Sequence, residues 1–132
     1  MIDGLNHITL SCSNIVRSLS FYTQNLGFTG HVQWDGGAYL TLGDLWLCLS
    51  LDSPSPAKDY THFAFSIGQQ EFAALKEKLI YAGVIEWKIN KSEGDSFYFL
   101  DPDGHKLEIH VGNLAQRLEN LKSKPYKGLK WL

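Results

Sequence analysis

The sequence predicts an α+β fold in which two βαβββ repeats build a curved mixed sheet. Three observations carry this expectation. Short alternating runs mark half-buried strands, as where Leu45, Leu47, Leu49 and Leu51 oppose Trp46, Cys48 and Ser50. Two stretches at helical spacing, Ile15, Leu19, Tyr22, Leu26 and then Phe72, Leu75, Leu79, each follow such a strand. The interval from His7 to Gly27 is 20 residues and that from His62 to Gly83 is 21, so one order of elements runs twice.

In chain order, Leu5 to Cys12 reads as a strand that puts His7 and Thr9 on one face. Ser13 or Asn14 caps a helix that Gly27 ends. Phe28 to Leu51 is strand, broken at Gly36-Gly37 and Gly43-Asp44, with Tyr39, Thr41, Trp46, Cys48 and Ser50 sharing a face. Asp52 to Asp59 holds two prolines and is a linker. Tyr60 to Ile67 is again a strand, with His62 opposite Phe63 and Phe65, and Gly83 ends the following helix.

Asp101-Pro102-Asp103-Gly104 is a turn between strands 97–100 and 106–111. Alternation sets Ser96 and Tyr98 against Phe97 and Phe99, and Glu108 and His110 against Leu107 and Ile109. Asn113 with Gln116 makes a capping box for a last helix whose stripe is Leu114, Leu118 and Leu121, with Arg117 at its edge and Pro125 as its stop. The chain is thus expected to be one domain over 1–132: repeat one about 1–51, linker 52–59, repeat two about 60–112, helix and tail 113–132.

Twelve basic and fourteen acidic residues leave a formal charge of −2, which gives no broad footprint for nucleic acid or an anionic membrane. No apolar run approaches a membrane span and no leader is evident, which predicts a cytoplasmic protein. Cys12 and Cys48 lack paired spacing and are expected to be reduced, buried thiols.

Large apolar side chains collect on the strand faces that the helices can cover, so the opposite, polar faces are expected to enclose a cavity. His7, His62 and Glu108 lie on those faces, the two histidines at equivalent repeat positions. Two imidazoles and a carboxylate suit a borderline-to-hard divalent ion with positions left open for Lewis-acid chemistry. His31 and His105 are expected to be solvated, and His110 is a possible substitute ligand.

GLNHITL, GAYLTLGDLWLCLS, YTHFAF and above all SEGDSFYFLDPDGHKLE give a chain-long resemblance to the fosfomycin-resistance glutathione transferases of the vicinal oxygen chelate (glyoxalase/bleomycin-resistance) superfamily. The resemblance implies a manganese ion, or another divalent ion, on His7, His62 and Glu108. It implies potassium in the loop of Asn90, Ser92, Glu93, Gly94 and Ser96. It further implies a module-swapped homodimer whose metal site takes the first histidine from one chain and the other two ligands from its partner.

By the same resemblance Lys88, Ser92, Ser96, Tyr98 and Arg117 bind the phosphonate of fosfomycin, Thr9 hydrogen-bonds its oxirane oxygen, and Trp46 and Tyr39 shape the pocket. Trp34, Tyr39, Ser50, Lys91 and Tyr126 are the residues assigned to glutathione. Rival readings are a fosfomycin epoxide hydrolase, a transferase using another thiol, and a non-catalytic antibiotic-sequestering protein. Hydrolysis needs a general base, and the polar face of the first repeat offers no acid.

Overall fold

A computed structural model describes residues 1–132. The order is β1 (His7–Cys12), α1 (Ile15–Ser20), β2 (Thr29–Trp34), β3 (Gly37–Leu42), β4 (Leu45–Leu51), β5 (Phe63–Ser66), α2 (Gln69–Tyr81), β6 (Glu86–Lys88), β7 (Ser96–Leu100), β8 (Lys106–His110) and α3 (Leu114–Ser123). Each repeat makes its own four-stranded mixed sheet, in the orders β1-β4-β3-β2 and β5-β8-β7-β6. In both, the first strand runs parallel to the last, and the remaining pairs are antiparallel. The doubled pattern of the sequence is therefore a doubled topology.

Asn14 caps α1 by accepting from the Arg17 backbone N–H at 2.9 Å. The helix then widens into a π-helical turn, Phe21–Asn25, which the periodicity did not foreshadow. Tyr22, within that turn, is fully buried. His62 stands just before β5, which starts at Phe63 rather than at the expected Tyr60.

Fifteen buried residues from both repeats form one cluster, including Leu10, Leu47 and Leu49 from the first sheet and Phe97, Phe99, Leu107 and Ile109 from the second. The apolar faces of the two sheets and their helices therefore share one core. Phe28 meets Phe65 edge-on with ring centroids 5.6 Å apart, which joins the repeats directly. Because strand side chains alternate, the polar faces of both sheets turn away from that core.

A polar seam reinforces the junction. Asp103, from the turn between β7 and β8, accepts hydrogen bonds from Ser13 N at 3.1 Å, Ser13 Oγ at 2.6 Å, Arg17 Nη2 at 2.9 Å and Ser18 Oγ at 3.2 Å. Asp101 accepts from Tyr22 Oη at 2.7 Å and from the backbone N–H groups of Asp103 and His105. Burial pushes the Asp103 carboxyl up, but the Ser13, Arg17 and Ser18 donors outweigh it and hold it below the usual carboxylate range. His105 is part of this seam, donating from Nε2 to the Ser11 carbonyl at 2.7 Å, and so is not the solvated histidine that its turn suggested.

The last helix also departs from expectation. Its capping box forms, yet Leu114 is 71% and Leu118 38% exposed, and only Leu121 is buried. Leu121 packs into the body of the chain, while Leu118 is partly covered and Leu114 mostly uncovered. No helix is long and apolar enough to cross a membrane.

Candidate active site

On the first sheet, strand register places side chains in rows. His7, Trp46 and Thr41 are neighbours across β1, β4 and β3, as are Thr9, Cys48 and Tyr39. The His7 ring lies against Trp46 with centroids 4.5 Å apart. His7 Nδ1 donates to Asn6 Oδ1 at 2.7 Å, which leaves the Nε2 lone pair free. Tyr39 packs edge-on against both Trp34 and Trp46. Ser50 follows in the next row, beside Gly37.

On the second sheet, Ala64, Glu108, Tyr98 and Lys88 form one row across β5, β8, β7 and β6. His62 Nδ1 donates to the Tyr60 carbonyl at 2.7 Å, and a carbonyl can only accept, so this nitrogen carries a proton. Nε2 is then the ring nitrogen that faces Glu108 Oε1, 3.0 Å away. A proton on Nε2 bridges the two groups at this distance, and a divalent ion could take its place; an Nδ1–H held by a backbone carbonyl is the orientation that a metal-binding imidazole adopts. The other Glu108 oxygen accepts from Ser96 Oγ at 2.6 Å, and that hydroxyl in turn accepts from His110 Nδ1 at 2.6 Å. His110 thus stands behind Ser96 as an orienting group. Ser96 spends its hydroxyl on Glu108.

Lys88 completes the row. Its Nζ contacts Tyr60 Oη and lies over the rings of Tyr60 and Tyr98 at 4.4 and 4.8 Å. The hydrogen bond with Tyr60 outweighs desolvation and raises the ammonium above its ordinary range, so Lys88 is a firm cation. Burial pushes the Tyr98 phenol up, which keeps it a neutral donor.

Beyond Lys88 the chain closes a tight loop. Asn90 Oδ1 accepts from Ser92 N at 3.0 Å and Ser92 Oγ at 2.8 Å, while Asn90 Nδ2 donates to the Gly94 carbonyl at 2.8 Å. Gly94 has φ +80°, and a Cβ there would stand 2.5 Å from the Val111 carbonyl oxygen and 3.0 Å from His110 Cε1. Arg117 Nε pairs with Glu93 Oε2 at 3.3 Å. Partial burial works against the Arg117 charge, but Tyr126 and Glu93 beside it raise the group further. Lys88, Lys91, Ser92, Glu93 and Tyr126 line a cavity of about 560 Å³ here.

The structure therefore brings His62, Glu108, Ser96, Tyr98 and Lys88 onto one face, with Ser92, Glu93, Arg117, Lys91 and Tyr126 next to them. His7, Thr9, Trp46, Trp34, Tyr39 and Ser50 occupy the outward face of the other sheet. No three His, Cys, Asp or Glu side chains are grouped within the chain so as to hold a metal ion. The expectation that the two polar faces enclose a cavity does not hold inside one chain, because the shared core lies between the sheets. Another cavity of about 480 Å³, beside Arg17, Phe21 and Asp101, lies at the seam, and its one carboxylate, Asp101, already accepts from Tyr22 and two backbone N–H groups.

Sequence reasoning missed Asn6 and Tyr60, which fix the tautomers of His7 and His62. Tyr60 shares strand parity with His62, so alternation was a usable signal for it. Asn6 carried none.

The sequence profile of the Glyoxalase/Bleomycin resistance protein/Dioxygenase superfamily matches residues 4–109. The chain belongs to this superfamily. Within it, the chain is 53% identical to the glutathione transferase FosA of Serratia marcescens, over 98% of this chain and 95% of that protein. It is 40% identical to the metallothiol transferase FosB of Shouchella clausii, covering 89% of this chain and 86% of the relative. Among solved superfamily structures, the fosfomycin resistance protein FosX of Listeria monocytogenes, complexed with Mn(II) and 1S,2S-dihydroxypropylphosphonic acid, superposes with a TM-score of 0.79 at 29% identity. That match covers 90% of this chain and 99% of FosX.

Proposed function

We propose that this chain is a metal-dependent glutathione transferase that opens the epoxide of fosfomycin by thiol addition and so confers resistance. One observation carries the reading: His62 Nε2 and the Glu108 carboxylate are held together on a face that also presents the Lys88 cation, so metal and phosphonate binding groups adjoin. The 53% identity to the glutathione transferase FosA supports glutathione as the thiol.

His62 and Glu108 would hold the divalent ion with His7, and manganese is the ion in the FosX complex. Bound there, the ion supplies Lewis acidity for ring opening. Lys88, Ser92, Tyr98 and Arg117 hold the phosphonate by charge and hydroxyl donation. Thr9 donates to the oxirane oxygen, and Trp46 and Tyr39 wall the reacting carbon from water. The thiolate sulfur forms a bond to that carbon as the carbon–oxygen bond breaks, and the proton lost by the thiol ends on the new hydroxyl.

Since His7 faces away from His62 and Glu108 within one chain, we assign the complete ligand set to a homodimer in which one chain supplies His7 and its partner supplies the other two. A potassium ion at the Asn90 to Ser96 loop would lower anionic charge near the phosphonate. The reading treats 1–132 as one vicinal oxygen chelate domain acting in the cytoplasm. Hydrolysis is disfavoured because the rows around Thr9 carry Cys48 and Tyr39 and no carboxylate to activate water.

The test is phosphorus NMR of fosfomycin with metal-stripped protein and glutathione, before and after adding manganese. A thioether adduct formed only with manganese is the expected result. Diol formed without glutathione, or no conversion with metal bound, would overturn the reading.

A further inference from the structure

The cavity beyond Lys88 is electrostatically unbalanced. Three lysines, Lys88, Lys91 and Lys124, face it with a single carboxylate, Glu93. That carboxylate is already paired with Arg117. Neither Lys91 nor Lys124 makes an ion pair, whereas nearby Lys122 pairs with Glu119 at 2.9 Å on the outer side of α3.

Lys124 is also held in place by its backbone. It is the C-cap of α3, its N–H donates to the Asn120 carbonyl at 3.0 Å, and Pro125 follows it. A lysine here would by default serve the negative end of the helix. Lys122 already places a positive charge in the last turn, and Lys124 instead lines the cavity together with Asn120. Lys88 stands at the other end, in the row of Tyr98 and Glu108. A ligand held by Lys124 therefore extends toward the reacting centre.

We propose that Lys124, with Asn120 and Lys91, forms a carboxylate-binding wall that selects the thiol cosubstrate by its negative charge. The inference rests on the thiol-transfer reading and deepens it, since it names the residues that choose a carboxylate-bearing thiol over a neutral one. Lys88 and the hydroxyls near it take the phosphonate, and the wall takes a second anion on the thiol. The cavity volume of about 560 Å³ is within the range of small-ligand pockets.

The test is calorimetric titration of the metal-loaded protein with S-methylglutathione, which cannot react, and with its diethyl ester, which lacks carboxylate charge. Loss of one charge-assisted contact predicts that Lys124→Gln weakens S-methylglutathione binding about tenfold, and that Lys124→Arg restores most of it. The diester should bind weakly and equally to wild type and Lys124→Gln. Equal affinity of wild type and Lys124→Gln for S-methylglutathione, an equal loss with the diester, or no binding to wild type would each overturn the proposal. The two readings fail separately. Adduct formation with a neutral Lys124→Gln result sinks only the wall, whereas the predicted binding pattern without adduct formation sinks only the reaction.

Discussion

His62 Nε2 stands 3.0 Å from Glu108 Oε1 while its Nδ1 donates to the Tyr60 carbonyl. Nδ1 is thereby committed to the backbone, and Nε2 is left as the atom that shares a proton or a divalent ion with Glu108. Glu108→Ala should abolish adduct formation and weaken manganese binding by far more than tenfold. Ser96→Ala, which frees the second carboxylate oxygen, should weaken it by about 10–100-fold. Electron paramagnetic resonance of free manganese measures both. Wild-type affinity in Glu108→Ala would remove that residue from the site.

Lys88 owes its raised ammonium first to the Tyr60 hydroxyl. A raised lysine is charged below its shifted value and loses its charge only as pH rises through it. Fosfomycin binding should therefore persist through the ordinary lysine range and decline above it, and Tyr60→Phe should bring that decline to lower pH. Lys88→Ala should weaken binding by about 1.5–3 kcal/mol, the range for hydrogen bonds to charged groups. Calorimetry across alkaline pH reads both effects, and identical profiles for wild type and Tyr60→Phe would refute the coupling.

Asp103 ties the two repeats together through Ser13, Arg17 and Ser18. Its carboxyl is lowered in the folded chain, so the stability it contributes is present above the unfolded value and is lost as pH falls through the folded one. Asp103→Asn should cost about 2–4 kcal/mol near neutrality and flatten the acid side of the stability curve. Urea titrations at several pH values check this, and an unchanged acid slope would contradict it.

Gly94 combines a positive φ with a backbone carbonyl where a Cβ would sit. Gly94→Ala should therefore cost at least about 1–2 kcal/mol of stability. It should also loosen the His110 to Ser96 support of Glu108, so manganese affinity should fall with it. Thermal melts and metal titration test the pair of effects, and wild-type values for both would show that the loop has another conformation.

Alternation and repeat length make the two sheets and the faces of His7, His62, Glu108, Ser96 and Tyr98 legible in the sequence. Such patterns report which face is apolar, but not what lies across it. That is why Asp103 read as a plain turn residue, when its partners Ser13 and Arg17 are 90 and 86 positions away. The same limit hid the outward orientation of both polar faces and the exposure of Leu114 and Leu118. It also hid Lys124, whose place at the cavity depends on where α3 stops.

The shared metal site is most directly tested by mixing two inactive variants, His7→Ala and Glu108→Ala, under conditions that exchange subunits. A mixed dimer unites His7 of one chain with His62 and Glu108 of the other. Random pairing makes half of the dimers mixed, each with one intact site of two, so about a quarter of the wild-type rate of fosfomycin–glutathione adduct formation should return. No recovery, with subunit exchange verified by mass spectrometry, would contradict a site divided between chains.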